Sequence, residues 1–271
     1  MNIKIIEWNI NHRLGYSKRN MPEWVAEVIK EKDADIIILT ECCDRVINWE
    51  AEKNKAFDVN KYIVFTSNND QGDNNDVTIA IKKEKIEVLY SKSFFAYGHN
   101  APDHLQLKCK CKENGRKFIV VGMRIHAMNI SDKQKFNQLD MVINELKEED
   151  IVIIGGDFNN NRRSYSDKGK WNLKEIDEHL KGEYIRITPE GSSIYRDVDT
   201  DDDYCFAEDH FFVKGIKSIV VKAYDRKFID KDKNIYKWGS DFQTQHGWEK
   251  PENKISDPYP DHAILEARFS V

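Results

Sequence analysis

Short apolar runs of four to eight residues, rich in Ile and Val, recur along the whole chain and are the strongest constraint on its fold. They cover residues 3–6, 36–39, 62–66, 77–81, 105–111, 118–125, 151–154, 210–213, 219–223 and 263–269. Runs this short, bounded by Gly, Asn, Asp and Ser, predict strands rather than helices. Helical spacing appears at residues 22–32, where Trp24, Val25, Val28 and Ile29 form one stripe and Pro22 suits the first turn. It appears again at 133–147 and, more briefly, at 171–180, while 67–76, 160–169 and 188–204 read as loops. No repeat and no Pro/Gly/Ser-rich linker divides the chain. The expectation is one domain over residues 1–271, two packed sheets with helices outside.

Composition excludes some functions. Hydrophobic residues are 40% of the chain, enough for a sizeable core, and the net charge is only -5. A pI near 6.0 argues against a broad basic surface that coats nucleic acid, though not against a local groove. No run approaches a membrane span. Residues 1–8 alternate like a strand and lack a signal peptide's apolar stretch and cleavage site, so a cytoplasmic location is expected. Five cysteines cannot all pair within one chain, and no CxxC pair appears, so reduced thiols are expected and zinc is not.

The chemistry lies at the strand ends. Asp157 follows Gly155 and Gly156 at the end of a wholly apolar run, where a carboxylate is costly unless it is paired or used. Asn159, two positions on, can aim at the same point. Glu41 follows the run 36–40, and Asn9 ends the first strand with Asn11 on its face under a period of two. Arg124 and His126 share a face, Asp261 and His262 precede the last strand, and Asp209 offers a carboxylate to orient a histidine. Apart from Asp157, each alone reads more readily as a cap, a turn or a packed core residue. Together they suggest one site assembled from many strands, as a metal-dependent phosphate-cleaving enzyme requires. The acidic stretch 197–203 lacks the Gly and terminal Glu of an EF-hand and reads as a solvated loop.

In order, W-N-I-N (8–11), I-L-T-E (38–41), R-I-H-A-M-N (124–129), G-G-D-F-N (155–159), E-D-H-F-F-V (208–213) and P-D-H-A-I-L (260–265) resemble the endonuclease/exonuclease/phosphatase superfamily, the DNase I-like fold. The resemblance spans nearly the entire chain. It implies an α+β fold, a four-layer α/β/β/α sandwich of two mixed sheets. It also implies a Mg²⁺ or Mn²⁺ cofactor and a phosphoester substrate, nucleic acid among the candidates. Glu41 then matches the metal ligand, assisted by Asn9 and Asp261. Asp157 matches the carboxylate that orients or deprotonates the attacking water, with Asn159 holding it or the phosphate. His262 matches the phosphate-contacting histidine, paired with Asp209, and His126 a second histidine that binds phosphate or acts as general acid. Asn129, Arg124, Asn11 and Arg162 are substrate-side candidates. The resemblance does not decide between one and two cations.

Three departures bear on the substrate. Abasic-site nucleases of the superfamily carry an acid where Asn11 stands and a Tyr where His126 stands. Its nucleases commonly place a base where Ala207 stands, and here Glu208 follows. A short or small phosphorylated substrate is therefore expected over long duplex DNA. The expectation is a metal-dependent phosphodiesterase or endo/exonuclease. The rivals are the same scaffold acting on a phospholipid headgroup, inositol phosphate or nucleotide, and a non-catalytic binding protein that keeps the fold.

Overall fold

Strands that are apolar on both faces need cover on both sides, and that requirement sets the layers. The computed structural model describes residues 1–12, 23–42, 49–67, 76–93, 100–127, 130–160, 169–189, 193, 207–225, 227–229, 235–237 and 262–271. Asp261, Asn129, Arg162 and most of the three expected loops lie outside them. In chain order the elements begin β1 (Asn2–His12), α1 (Glu23–Lys32), β2 (Ile36–Cys42), α2 (Trp49–Ala56), β3 (Tyr62–Thr66), β4 (Thr78–Lys82), β5 (Ile86–Lys92) and β6 (Asp103–Cys111). They continue β7 (Lys117–Arg124), α3 (Asp132–Glu145), β8 (Val152–Asp157), α4 (Leu173–His179) and β9 (Ile185–Ile187). The last are β10 (Asp209–Lys214), β11 (Ile219–Val221), β12 (Lys227–Ile229), β13 (Ile235–Lys237) and β14 (Leu265–Ser270).

Two six-stranded sheets form, ordered β11-β14-β1-β2-β4-β3 and β5-β6-β7-β8-β10-β9, with β12 and β13 a separate pair. Both large sheets are mixed. β1 runs parallel to β2, and β7 to β8, while their other pairings are antiparallel. Alternation along β2 shows how the layers close. Ile36 and Ile38 point into the core between the sheets with Ile3, Ile5, Leu107, Val120 and Phe211. Ile37 and Leu39 point the other way, beneath Val25 and Ile29 of α1. On the far side, Leu139 and Val142 of α3 and Ile176 of α4 cover Val121, Val152 and Ile154. Each fully buried aliphatic side chain contributes on the order of 2 kcal/mol. The result is the α/β/β/α sandwich.

All ten expected strands are present. The elements not foreseen are β5, β9, β12, β13 and α2, which are either short or mix polar with apolar residues. Helix starts fall at capping residues rather than at the first apolar position. Ser131 closes a capping box with Gln134 at the head of α3, and Asn172 caps α4 one residue after Trp171. No described helix is long and apolar enough to cross a membrane. Among the described residues Cys42, Cys109 and Cys111 are buried free thiols.

Candidate active site

Four neighbouring strands of the second sheet each put one charged residue at the same level. Asp103 of β6 lies opposite Arg124 of β7, Arg124 beside Asp157 of β8, and Asp157 opposite Asp209 of β10. The first sheet answers with Glu7 and Asn9 from β1 and Glu41 from β2, and His262 arrives just before β14. The two glycines of G-G-D-F-N let this seam close. A Cβ on Gly155 would meet the Phe211 ring at 2.6 Å and Ile38 of the facing sheet at 3.0 Å. One on Gly156 would lie 1.8 Å from the Met123 carbonyl oxygen.

Asp157 is the hub. Its Oδ2 accepts from the side-chain amides of Asn9 and Asn159, each at 2.9 Å, and its Oδ1 accepts the Asn159 backbone N–H at 2.8 Å. Burial pushes its carboxyl up to about 7; His262 opposes the rise, Asp209 and Glu208 add to it, and Arg124 opposes it. Asn159 itself is held in the left-handed region at φ 43°, with its amide also donating to Ile125 O and Lys135 Nζ donating to its carbonyl. Glu41 is the site's second residue in that region, at φ 50°. It stands where the β1–β2 register shifts between Asn9 and His12. Asn11 lies further along β1, within the stretch where the register shifts. Left-handed backbone at non-Gly residues is stored strain, and the structure keeps it at these two functional candidates.

The Asn9 amide nitrogen also lies 3.4 Å from His262 Nε2, so Asp157 and the imidazole flank one side chain. His262 Nδ1 is 2.8 Å from Asp209 Oδ2. A carboxylate only accepts, so Nδ1 is the protonated nitrogen and Nε2 faces the Asn9 amide. Trp8 Nε1 donates to His262 O, and Tyr224 OH donates to Asp209 O at 2.5 Å. Ser193 ties the two segments together, accepting the Glu208 and Asp209 N–H groups on Oγ and Ala263 N–H on its carbonyl.

Arg124, expected on the substrate's phosphate, is turned inward instead. Nε donates to Glu41 Oε1 at 2.8 Å and Nη1 to Asp103 Oδ2 at 3.2 Å, with Asp157 Oδ2 3.8 Å from Nε. Burial works against its charge, but Glu41, Asp103 and Asp157 together raise its pKa further. His126 reaches the same cluster from its edge, Nε2 lying 3.8 Å from Asp103 Oδ1, and its N–H is held by Gln138 of α3. The structure thus joins Asn9, Glu41, Arg124, His126, Asp157, Asn159, Asp209 and His262.

Asp103, Lys135, Gln138 and Glu7 were missed. Glu7 had one signal, a lone acid inside an apolar run. It is fully buried; Thr40 donates to Oε1, and Oε2, like Asp209 Oδ1, has no hydrogen-bond partner among the described residues. Burial first, then Asp209 and Asp157, hold its carboxyl well above the ordinary range, against His262 and Thr40. An acid whose folded pKa is raised stabilises the fold at low pH and loses that contribution as pH climbs through the folded value. Metal-free Glu7→Gln should therefore melt with the parent near pH 5 and above it at pH 8. The expected gain is ~2–4 °C for each kcal/mol in a chain approaching this size. The slope should shrink without vanishing, because Asp157 is raised as well; equal melting temperatures at both pH values would refute the assignment.

The model of the Endonuclease/Exonuclease/phosphatase family matches residues 6–241, and the chain belongs to that family. Its fold is shared by solved structures of low identity. An endonuclease/exonuclease/phosphatase from Bacteroides vulgatus superposes with TM-score 0.67 at 17% identity, covering 100% of this chain and 99% of the other. A Bacteroides thetaiotaomicron VPI-5482 mannosyl-6-phosphatase gives 0.65 at 14%, covering 99% and 100%. The D. rerio TDP2 complexed with single strand DNA product gives 0.62 at 13%, covering 100% and 99%. None of the curated proteins compared matches the sequence.

Proposed function

We propose that the chain is a divalent-metal-dependent phosphoester hydrolase, a phosphodiesterase or endo/exonuclease that acts by in-line attack of water. The observation that carries this reading is the Asn9 amide, which places a buried carboxylate and a carboxylate-oriented imidazole on either side of one point. Asp157, lifted to about 7, is matched to taking a proton from water near neutral pH. As an imidazolium, the form that the Asp209 carboxylate on Nδ1 favours, His262 donates from Nε2 to a phosphoryl oxygen, and His126 stands at the other end of the row as a second donor.

The donor set fits a hard cation. Glu41 and the Asn9 carbonyl are oxygen ligands of the kind Mg²⁺ and Mn²⁺ take, with Asp261 outside the described residues. Among the described residues no group of three His, Cys, Asp or Glu is ready-made for a metal, which suits an ion that keeps several waters. Buried Glu41, Asp103 and Asp157 surround the Arg124 guanidinium, Lys135 adds a cation on the Asp157 side, and Glu7 and Asp209 add two more buried carboxyls, so the acids of the site outnumber its cations. A divalent ion held there would supply neutralisation of the negative charge that grows on the phosphoryl and leaving oxygens.

Glu208, buried beside Asp157, adds negative charge where a long polyanion would need the opposite. The relatives of this fold include a mannosyl-6-phosphatase and a protein seen with single strand DNA product. Both fit a small or single-stranded substrate better than duplex. The test is a panel of bis(p-nitrophenyl) phosphate, p-nitrophenyl phosphate, inositol phosphates, a phosphocholine lipid, and single- and double-stranded oligonucleotides. The expected result is turnover of the activated diester and of a small or single-stranded substrate with Mg²⁺ or Mn²⁺, abolished by a chelator. Inertness toward the whole panel with both ions would overturn the reading.

A further inference from the structure

Resting on the hydrolase reading above, we propose that His210 is a positioning residue that acts through Asn160 to hold the left-handed turn at Asn159, and with it the donors on Asp157. Alternation along β10 turns Asp209 toward His262 between the sheets and His210 the other way, beside the Phe158 and Phe212 rings. A plain aromatic ring would pack there. A fully buried imidazole needs partners for its nitrogens, and both have one. Nδ1 lies 2.8 Å from Thr188 Oγ1, and Nε2 lies 2.9 Å from Asn160 Oδ1.

The partners give every proton a place. A carbonyl only accepts, so the Asn160 amide nitrogen donates to Ala207 O at 3.0 Å and Asn160 Oδ1 is left facing the ring. Oδ1 only accepts as well, so Nε2 carries the imidazole proton and Nδ1 takes the Thr188 hydroxyl proton. Thr188 Oγ1 accepts in turn from Arg186 Nη1 at 2.8 Å, and Asp177 fixes that guanidinium with two bonds of 2.6 Å. Every donor points the same way, from the Asp177–Arg186 pair toward Ala207. Burial first, then Arg186, holds the imidazole's pKa well below its ordinary value against the Ala207 carbonyl, so the ring stays neutral.

The last bond matters because of where it falls. Asn159 sits at φ 43°, a conformation that persists only where its surroundings over-determine it. Just before it, Phe158 N–H donates to Glu208 O at 2.7 Å; just after it, the Asn160 side chain donates to Ala207 O. The turn is thus clamped on both sides to the residues that enter β10. Without the imidazole N–H, Asn160 Oδ1 loses its partner and nothing in this chain of bonds keeps the amide nitrogen on Ala207.

The test is hydrogen exchange at the Asn159 backbone N–H, which the turn aims at Asp157 Oδ1, followed by NMR on the full-length chain beside kcat for an activated diester. His210→Phe keeps a packed ring and removes both nitrogens; Asn160→Ala removes the clamp itself. Each should speed Asn159 exchange by about tenfold or more and leave the amides of Val152, Ile153 and Ile154 within about twofold of the parent. Each should also lower kcat by about tenfold or more, with KM changed by less than about threefold. His210→Gln, which keeps an N–H donor for Asn160, should restore most of both losses. Asn159 exchange equal in parent and variants would overturn the proposal whatever the activity, and so would faster exchange at an unchanged kcat. Protection lost along β8 as well, with no rescue by His210→Gln, would reduce His210 to packing. A parent inert toward the whole panel would sink the hydrolase reading, and the exchange comparison would still decide what His210 holds. Should His210→Phe fail to fold, Asn160→Ala and His210→Gln carry the same comparison.

Discussion

Asp157→Asn should lower kcat for an activated phosphodiester by about 10²–10⁴-fold, the range removed with a positioned general base. Three donors converge on this carboxylate, so it is oriented before substrate arrives. Burial lifts it to about 7 in the metal-free chain, and a nearby divalent charge acts in the opposite sense. The parent's kcat/KM should therefore climb with pH along an acid limb at or below pH 7 as Asp157 loses its proton. The variant should lack that limb, since an amide has no proton to lose in this range. Purified Asp157→Asn that retains more than about a tenth of the parent's kcat would remove Asp157 from the chemistry.

The fold was legible because both sheets are covered on both faces. Continuous apolar runs such as residues 36–39 and 151–154 have no other use in a chain of this composition. Where one face meets solvent the signal thins. β5 carries Glu87, Tyr90 and Lys92, and α2 is mostly Glu, Lys and Asn, so neither offers a period strong enough to read.

In the site, residues at strand ends were legible and residues defined by pairing were not. Asp157 stands out because a carboxylate at the end of a wholly apolar run has few structural uses, and Glu41 stands out once the other strand-end residues are set beside it. Asp103 heads its own run without such contrast, and its importance comes from lying opposite Arg124. A signal for it existed. Asn114-Gly115 marks the β6–β7 hairpin, with Gly115 at φ 71°, and Lys110 pairs with Lys117. Counting seven residues along each strand from that pair reaches Asp103 and Arg124. The inward turn of Arg124 had no such signal, because facing direction tells which side a residue takes but not which carboxylates wait there. Lys135 and Gln138 read as core-face helix positions with polar heads; only the approach of α3 to Asn159 and His126 gives those heads partners.

His262→Ala should cost about 10²–10⁴-fold in kcat, and Asp209→Asn should cost less. The decisive variant is the double one. Asp209 Oδ2 meets His262 Nδ1 at 2.8 Å, and its own side chain is fully buried, away from any substrate. If Asp209 acts only by fixing which nitrogen carries the proton and where the ring points, it has nothing left to hold once the imidazole is gone. Adding Asp209→Asn to His262→Ala should then change kcat by less than about twofold, a coupling energy nearly equal to the whole single-variant loss. A double variant whose losses simply multiply would show that Asp209 works by a separate route. The backbone offers one, since Ser193 and Tyr224 bind the peptide groups on either side of the Asp209 carboxylate and hold β10 at the seam. Melting temperatures separate the two cases: a route through the backbone should lower stability in Asp209→Asn and in the double variant alike, whereas the imidazole route should leave rate and stability uncoupled.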